Sequence, residues 1–177
     1  MPRADAARNR ERILAAAEEV FAEQGANAST EEVARRAGVA IGTVFRHFPA
    51  KADLLTAILK NLLEELEAEA GYLACRDENH ATGLFTFFRS VLEQAAAKRT
   101  VVEALDVRID LGEVFTDFRD QVELLLHRAQ AVDAVRLEIE VDEVLALMAA
   151  LSQAALDADL RERTTEIVFA GLSARGR

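Results

Sequence analysis

The sequence holds a single cysteine, Cys75, together with two prolines, one tyrosine and no tryptophan in 177 residues. One cysteine excludes an internal disulfide framework and any zinc site built from several thiolates. With two prolines and eight glycines, breakers are scarce in a chain where Ala, Leu and Glu recur. That balance predicts an all-α fold. No apolar run reaches the ~18 residues that cross a bilayer, so no membrane partner is expected. The opening stretch MPRADAARNRER has no apolar segment of the secretory kind, and a soluble, cytoplasmic protein is expected. A wholly disordered chain is excluded, because 51% of the residues are hydrophobic and can bury a core.

Signals for catalysis are also missing. There is no phosphate-cradling loop, no nucleophile motif and no pair of histidines at metal-ligand spacing. No catalytic residue, metal or cofactor is expected. The acidic cluster Glu138, Glu140, Asp142 and Glu143 reads most simply as a solvated face.

The net charge of −10 argues against a protein coated with nucleic acid. Its distribution is uneven. Residues 1–52 carry eight Lys and Arg against seven acids, whereas the remainder carries 13 against 24. Any contact with a phosphate backbone is therefore expected in the head, since the acidic body repels it.

Helical periodicity runs along the chain. Ile13, Ala17, Val20 and Phe21 make one apolar stripe, which Gly25 ends. Ser29-Thr-Glu-Glu32 has capping-box spacing, so a short helix begins near Thr30 and stops at Gly38. A third spans Ile41 to Phe48 and stops against Pro49. A longer helix then carries Leu54, Leu55, Ile58, Leu59, Leu62, Leu63 and Leu66 and ends close to Gly71. Further helices are predicted around Leu84–Leu92, Val114–Ala129, Asp142–Asp157 and Leu160–Leu172, with a short segment near Val101–Leu111. The helices lengthen near residues 50–52, which sets the expected boundary between a head, 1–50, and a body, 51–177.

The informative stretch is STEEVARRAGVAIGTVFRHFPAK, residues 29–51. Two short helices meeting at Ala37-Gly38-Val39 have the form of a helix-turn-helix. Gly38 permits the left-handed backbone of the corner, and Ala34 allows close helix approach. Val33, Val39 and Val44 supply a small core. Ala40, Ile41, Thr43, Phe45, Arg46 and His47 then point away from it, on a helix that fits the major groove. Thr30 lies at a helix N-terminus, where free N–H groups favour anions. Lys51 brings a charge to the start of the long helix, and Arg3, Arg8, Arg10 and Arg12 form a candidate flexible arm.

From RERILAAAEEVFAEQGANAST through EEVARRAGVAIGTVFRHFPAK to ADLLTAIL, roughly residues 10–60, the chain resembles the TetR-type transcriptional repressors. The resemblance implies a homodimer in which each three-helix N-terminal domain reads half of a palindromic duplex operator. It also implies a helical C-terminal domain for ligand binding and dimerisation, with a small-molecule inducer as partner. Carried over by position, it assigns Ala40, Ile41, Gly42 and Thr43 to bases or phosphates, and Phe45, His47 and Lys51 to the backbone. Such regulators usually have tyrosine where this chain has Phe45, so a phosphate-binding hydroxyl is missing. Ala40 and Ile41 cannot make paired hydrogen bonds to bases, which leaves thymine methyl groups and DNA shape.

The body offers less. Leu147, Leu151 and Ala155, with Ile167, Val168 and Gly171 on the last helix, are a candidate dimer interface or else part of each monomer's core. Phe85, Phe88, Phe115 and Phe118 are candidate lining for a largely apolar inducer, with Arg89, Arg108 or His127 as its polar partner. Aromatics at helical spacing are more often core. Cys75 in isolation reads as inert packing unless exposed and activated. A helical adaptor or ligand-binding protein without sequence-specific DNA binding is the alternative function.

Overall fold

The computed structural model describes residues 2–76, 78, 80–99, 112–154 and 157–174. Among these the chain forms α1 (Pro2–Gln24), α2 (Thr30–Ala37), α3 (Ile41–His47), α4 (Lys51–Ala74), α5 (Gly83–Ala97), α6 (Gly112–Ala131), α7 (Val141–Gln153) and α8 (Ala158–Leu172). The fold is all-α. Its single isolated β-bridge among the described residues joins Val135 to Ser173. The expected segment Val101–Leu111 lies outside the described residues.

Two compact units divide the chain. The first holds residues up to Leu62 and also 97–99, and the second holds the other described residues from Leu63 onward. The division falls inside α4 rather than at residues 50–52, for a packing reason. Leu54, Leu55, Ala57 and Ile58, on the first turns of α4, are buried with Ile13, Ala17, Val20 and Phe21 of α1 and with Val33 and Val44. The head therefore needs the start of the long helix to close its core.

Short-range signals set the head's helix ends. Ser29 Oγ accepts from the Glu32 N–H at 3.1 Å, capping α2. The Glu32 carboxylate turns forward to Arg35 instead of back to Ser29, so the expected capping box is realised on one side. Gly38 takes φ +65° and ψ +38°, and its N–H bonds the Arg35 carbonyl at 3.2 Å. Phe48 closes α3, its N–H donating to the Val44 carbonyl at 2.8 Å.

The basic N-terminal segment expected as a flexible arm is instead the first part of α1. Its Ala, Arg and Glu residues are good helix formers, and Asp5 pairs with Arg8 at 2.6 Å one turn on.

In the second unit, Leu84, Phe87, Phe88 and Leu92 of α5 are buried, as are Val122, Leu125, Leu126 and Ala129 of α6 and Val144 and Met148 of α7. Glu140 and Glu143 make a reciprocal capping box at the start of α7. That helix stops at Gln153, short of the expected Asp157. Ala154 turns to extended backbone, and Asp157 caps α8 by accepting from the Leu160 N–H at 2.8 Å. The end of α8 is tied to the α6–α7 connection. Arg136 N–H donates to the Leu172 carbonyl and Ala174 N–H to the Ala134 carbonyl, both at 3.1 Å.

Candidate DNA-binding surface and C-terminal groove

The small core expected at the corner is present. Val33 and Val44 are fully buried, Ala34 is nearly so, and Val39 packs against them. The Val39 N–H donates to the Ala34 carbonyl at 3.0 Å, which draws the first residue after the corner onto α2. With Val44 inward, the 100° step of a helix places Gly42 and Arg46 outermost on α3. Both are exposed. Ile41 and Phe45 flank them on one side, and half-buried Thr43 and His47 on the other. Ile41 is 38% exposed and Phe45 44%. A Cβ at Gly42 would meet nothing within 4 Å.

The remaining head residues sit at helix starts. Thr30 is the half-buried first residue of α2, Ala40 is the exposed residue that precedes α3, and Lys51 begins α4. Lys51 Nζ lies 5.3 Å above the Phe21 ring, a cation–π contact with a core residue. Phe48 is buried beneath the Arg10 guanidinium, which lies 5.4 Å from its ring centre. Arg10 thus packs on the end of α3, and Arg8 is engaged by Asp5.

Arg12 has a role that local sequence did not signal. Its Nη2 donates to the Ala37 carbonyl at 2.6 Å, placing a cation on the C-terminal end of α2. Arg36 is bidentate to Glu23, with both N–O distances 2.7 Å, and also meets Glu32 at 3.4 Å. The hydrogen bond to Glu23 is the main cause of a raised Arg36 pKa, and the same bond holds Glu23 below the usual carboxylate range. Glu32 is lowered chiefly by its bond to Arg35. Arg35 and Arg36 therefore brace the head, while Arg46 stands on the outermost line of α3.

In the second unit, Thr82, Phe85, Thr86, Arg89, Phe169 and Ser173 line an open concavity of about 420 Å³. Phe85 and Arg89, both expected to line a site, come together here. Arg89 is clasped between Glu162 and Glu166 of α8, the second at 3.0 Å, and lies 5.5 Å from the Phe169 ring. The Glu162 hydrogen bond is the leading cause of its raised pKa. Phe88 touches Phe169 edge-on at 5.6 Å but is fully buried. Phe118 is buried too and packs on Phe87, so the expected aromatic set is split into two clusters. Arg108 and the Phe115 side chain lie outside the described residues, and His127 is exposed. Sequence reasoning missed Phe169. Its spacing from buried Thr165 and Leu172 marks it as part of the inward stripe of α8.

The outward stripe of α8 is apolar as well. Ile167 is 72% exposed and Leu160 40%, and Ala170 and Gly171 are exposed, whereas Val168 is half-buried. On α7, Leu147 and Leu151 are half-buried beside exposed Ala146, Ala149 and Ala150. Ala155 lies outside the described residues.

Residues 13–58, which contain the whole corner, match the family model described as bacterial regulatory proteins, tetR family. Residues 79–174, more than half of the chain, match the C-terminal domain of SbtR-like transcriptional regulators. The chain belongs to the TetR family of transcriptional regulators. Among relatives of this TetR-family regulator, the HTH-type transcriptional repressor BepR of Brucella suis biovar 1 (strain 1330) is 34% identical over 157 residues. That match covers 86% of this chain and 68% of the Brucella protein. A crystal structure of a TetR transcription regulatory protein from Mycobacterium vanbaalenii superposes with a TM-score of 0.77 at 33% identity, covering 98% of this chain and 99% of the other. A TetR transcriptional regulator from Streptomyces coelicolor gives 0.76 at 28% identity, with coverages of 94% and 99%. These relatives are transcriptional regulators. No helix among the described residues is long and apolar enough to cross a membrane.

Proposed function

We propose that this TetR-family regulator is a repressor that binds a palindromic operator as a homodimer and leaves it when a small-molecule inducer binds. The observation that carries the reading is the exposed face of α3. Ile41, Gly42, Phe45 and Arg46 project from a helix whose other side is locked by buried Val44 and Phe48. Such a rigid, bare helix suits the major groove. Thr30, Ala40, Thr43, His47 and Lys51 are the flanking contacts in this reading, and residues 1–50, with the first turns of α4 closing their core, are the DNA-binding domain. The name of the Brucella relative supports repression as the output.

Residues 51–177 are assigned to ligand binding and dimerisation. The exposed apolar stripe of α8, centred on Ile167 and Gly171, pairs with Leu147 and Leu151 of α7 in a four-helix interface between two copies. Two heads so joined address half-sites about 34–36 Å apart, or a multiple. The inducer is largely apolar, and the groove around Phe85, Arg89 and Phe169 is its candidate entry. Helix α4 carries its first turns in the head and its later turns in the body, so a change of tilt moves the recognition helices. The inducer needs only to bind the released state more tightly than the operator-bound one.

Selection of duplexes from a random pool, followed by affinity at two salt concentrations, tests this reading. An enriched palindrome whose binding falls steeply with salt supports it. No enriched sequence at low salt returns the molecule to the adaptor reading, with the helix-turn-helix kept as scaffold.

A further inference from the structure

We infer that Ile41 is a specificity-determining residue that reads the C5 methyl group of one thymine in each operator half-site. The inference rests on the operator-binding reading above and names the chemistry recognised at one position. Ala40, Ile41 and Gly42, the residues entering α3, offer no side-chain hydrogen-bond donor or acceptor. Bases beneath them are read through shape and apolar contact alone. In the major groove the thymine methyl is the apolar group that a base edge presents.

Two features direct the assignment to Ile41. The side chain is 38% exposed although Val44, three residues on, is fully buried, so Ile41 is left outside the head's own core. Beside it Gly42 has open space where a Cβ would stand, so the α3 backbone can sit close to the base edges. That approach brings the branched Ile41 side chain down onto the neighbouring base pair. Phe45, one turn later on the same flank and 44% exposed, lies further from the N-terminal end of the helix that reaches base edges.

The test uses the full-length protein and the duplex recovered by selection. Each thymine of one half-site is replaced in turn by deoxyuracil, which removes only the methyl group. At one thymine the wild-type protein loses about fourfold in affinity, the equivalent of about 0.8 kcal/mol for one buried methyl group. With Ile41→Ala the same replacement changes affinity by less than about 1.5-fold, because the methyl has lost its partner. The quantity read is a ratio within each protein, so any loss of folded Ile41→Ala cancels.

Uracil tolerated at every position overturns the inference. So does a sensitive thymine that stays sensitive in Ile41→Ala, or one whose sensitivity disappears in Phe45→Ala and not in Ile41→Ala. These outcomes leave the operator reading standing, because a duplex has been selected. Failure to select any duplex removes the operator reading and the methyl contact together.

Discussion

Arg12 Nη2 lies 2.6 Å from the carbonyl oxygen of Ala37, and a Cβ on the next residue, Gly38, would stand 2.8 Å from the same nitrogen. Two constraints therefore meet at the corner of the helix-turn-helix. Gly38 needs its positive φ, and it also leaves room for the guanidinium that caps α2. Arg12→Ala should destabilise the head by about 1.5–3 kcal/mol, the usual worth of a hydrogen bond to a charged group. Gly38→Ala should cost about 1–2 kcal/mol for the left-handed backbone, and more while Arg12 is present. Unfolding of the two single variants and the double variant checks the coupling. Strictly additive losses would mean that the guanidinium and the glycine do not compete for the same space.

This contact shows where sequence reading ends. Ser29, Gly38 and Pro49 act over one or two turns, so the limits of α2 and α3 were legible from spacing. The apolar stripe of α1 was legible for the same reason. Arg12 lies on α1, and nothing local states that it reaches a carbonyl 25 residues away. Arg89 with Glu162 and Glu166 is similar, because its partners are more than 70 positions distant. The unit division inside α4 was hidden by a continuous leucine pattern. Leu62 and Leu63 continue one helical stripe but belong to different units.

Acid should weaken the head through Glu23 and Glu32. Both carboxyls are held below their ordinary range in the folded protein, Glu23 chiefly by Arg36 and Glu32 chiefly by Arg35. A depressed folded pKa contributes stability above the unfolded value, and that contribution is lost as pH falls through the folded one. Stability should thus decline below the ordinary glutamate range. Arg36→Gln should lower stability at neutral pH and flatten the decline. Melting temperatures from neutral to about pH 3 measure this. Glu23 is exposed and Glu32 half-buried, so the difference between the proteins should also shrink in high salt, chiefly through Glu23. An unchanged acid slope in Arg36→Gln would rule the pairing out as its source.

Phe45→Tyr should tighten operator binding. The ring is 44% exposed on the α3 flank, and the added hydroxyl can donate to a phosphate oxygen without entering the core. A hydrogen bond to a charged group at the lower end of its range gives roughly tenfold. Lys51→Ala should act differently, weakening binding to every duplex alike and reducing the salt slope by about one. Lys51 also covers Phe21, so its variant must be compared at a temperature where both proteins are folded. A Lys51→Ala protein with altered base preference would contradict a phosphate contact.

Ile167→Glu should convert the proposed dimer to monomers. Ile167 is 72% exposed in the single chain, so a charge there costs the monomer fold little. In a four-helix interface it would face the second copy, where an unpaired carboxylate is strongly disfavoured. Gly171→Leu supplies an independent check. A Cβ at Gly171 meets nothing within 4 Å in the single chain and the residue is exposed, so the fold leaves room at this point that a neighbouring copy packed on the glycine would close. Sedimentation of the wild type and both variants at matched concentration measures the outcome, with circular dichroism confirming retained helix. Loss of association without loss of helix places the two-fold contact on this stripe of α8. A wild-type dimer that both variants leave intact would move the contact elsewhere, and operator affinity should then be unchanged as well.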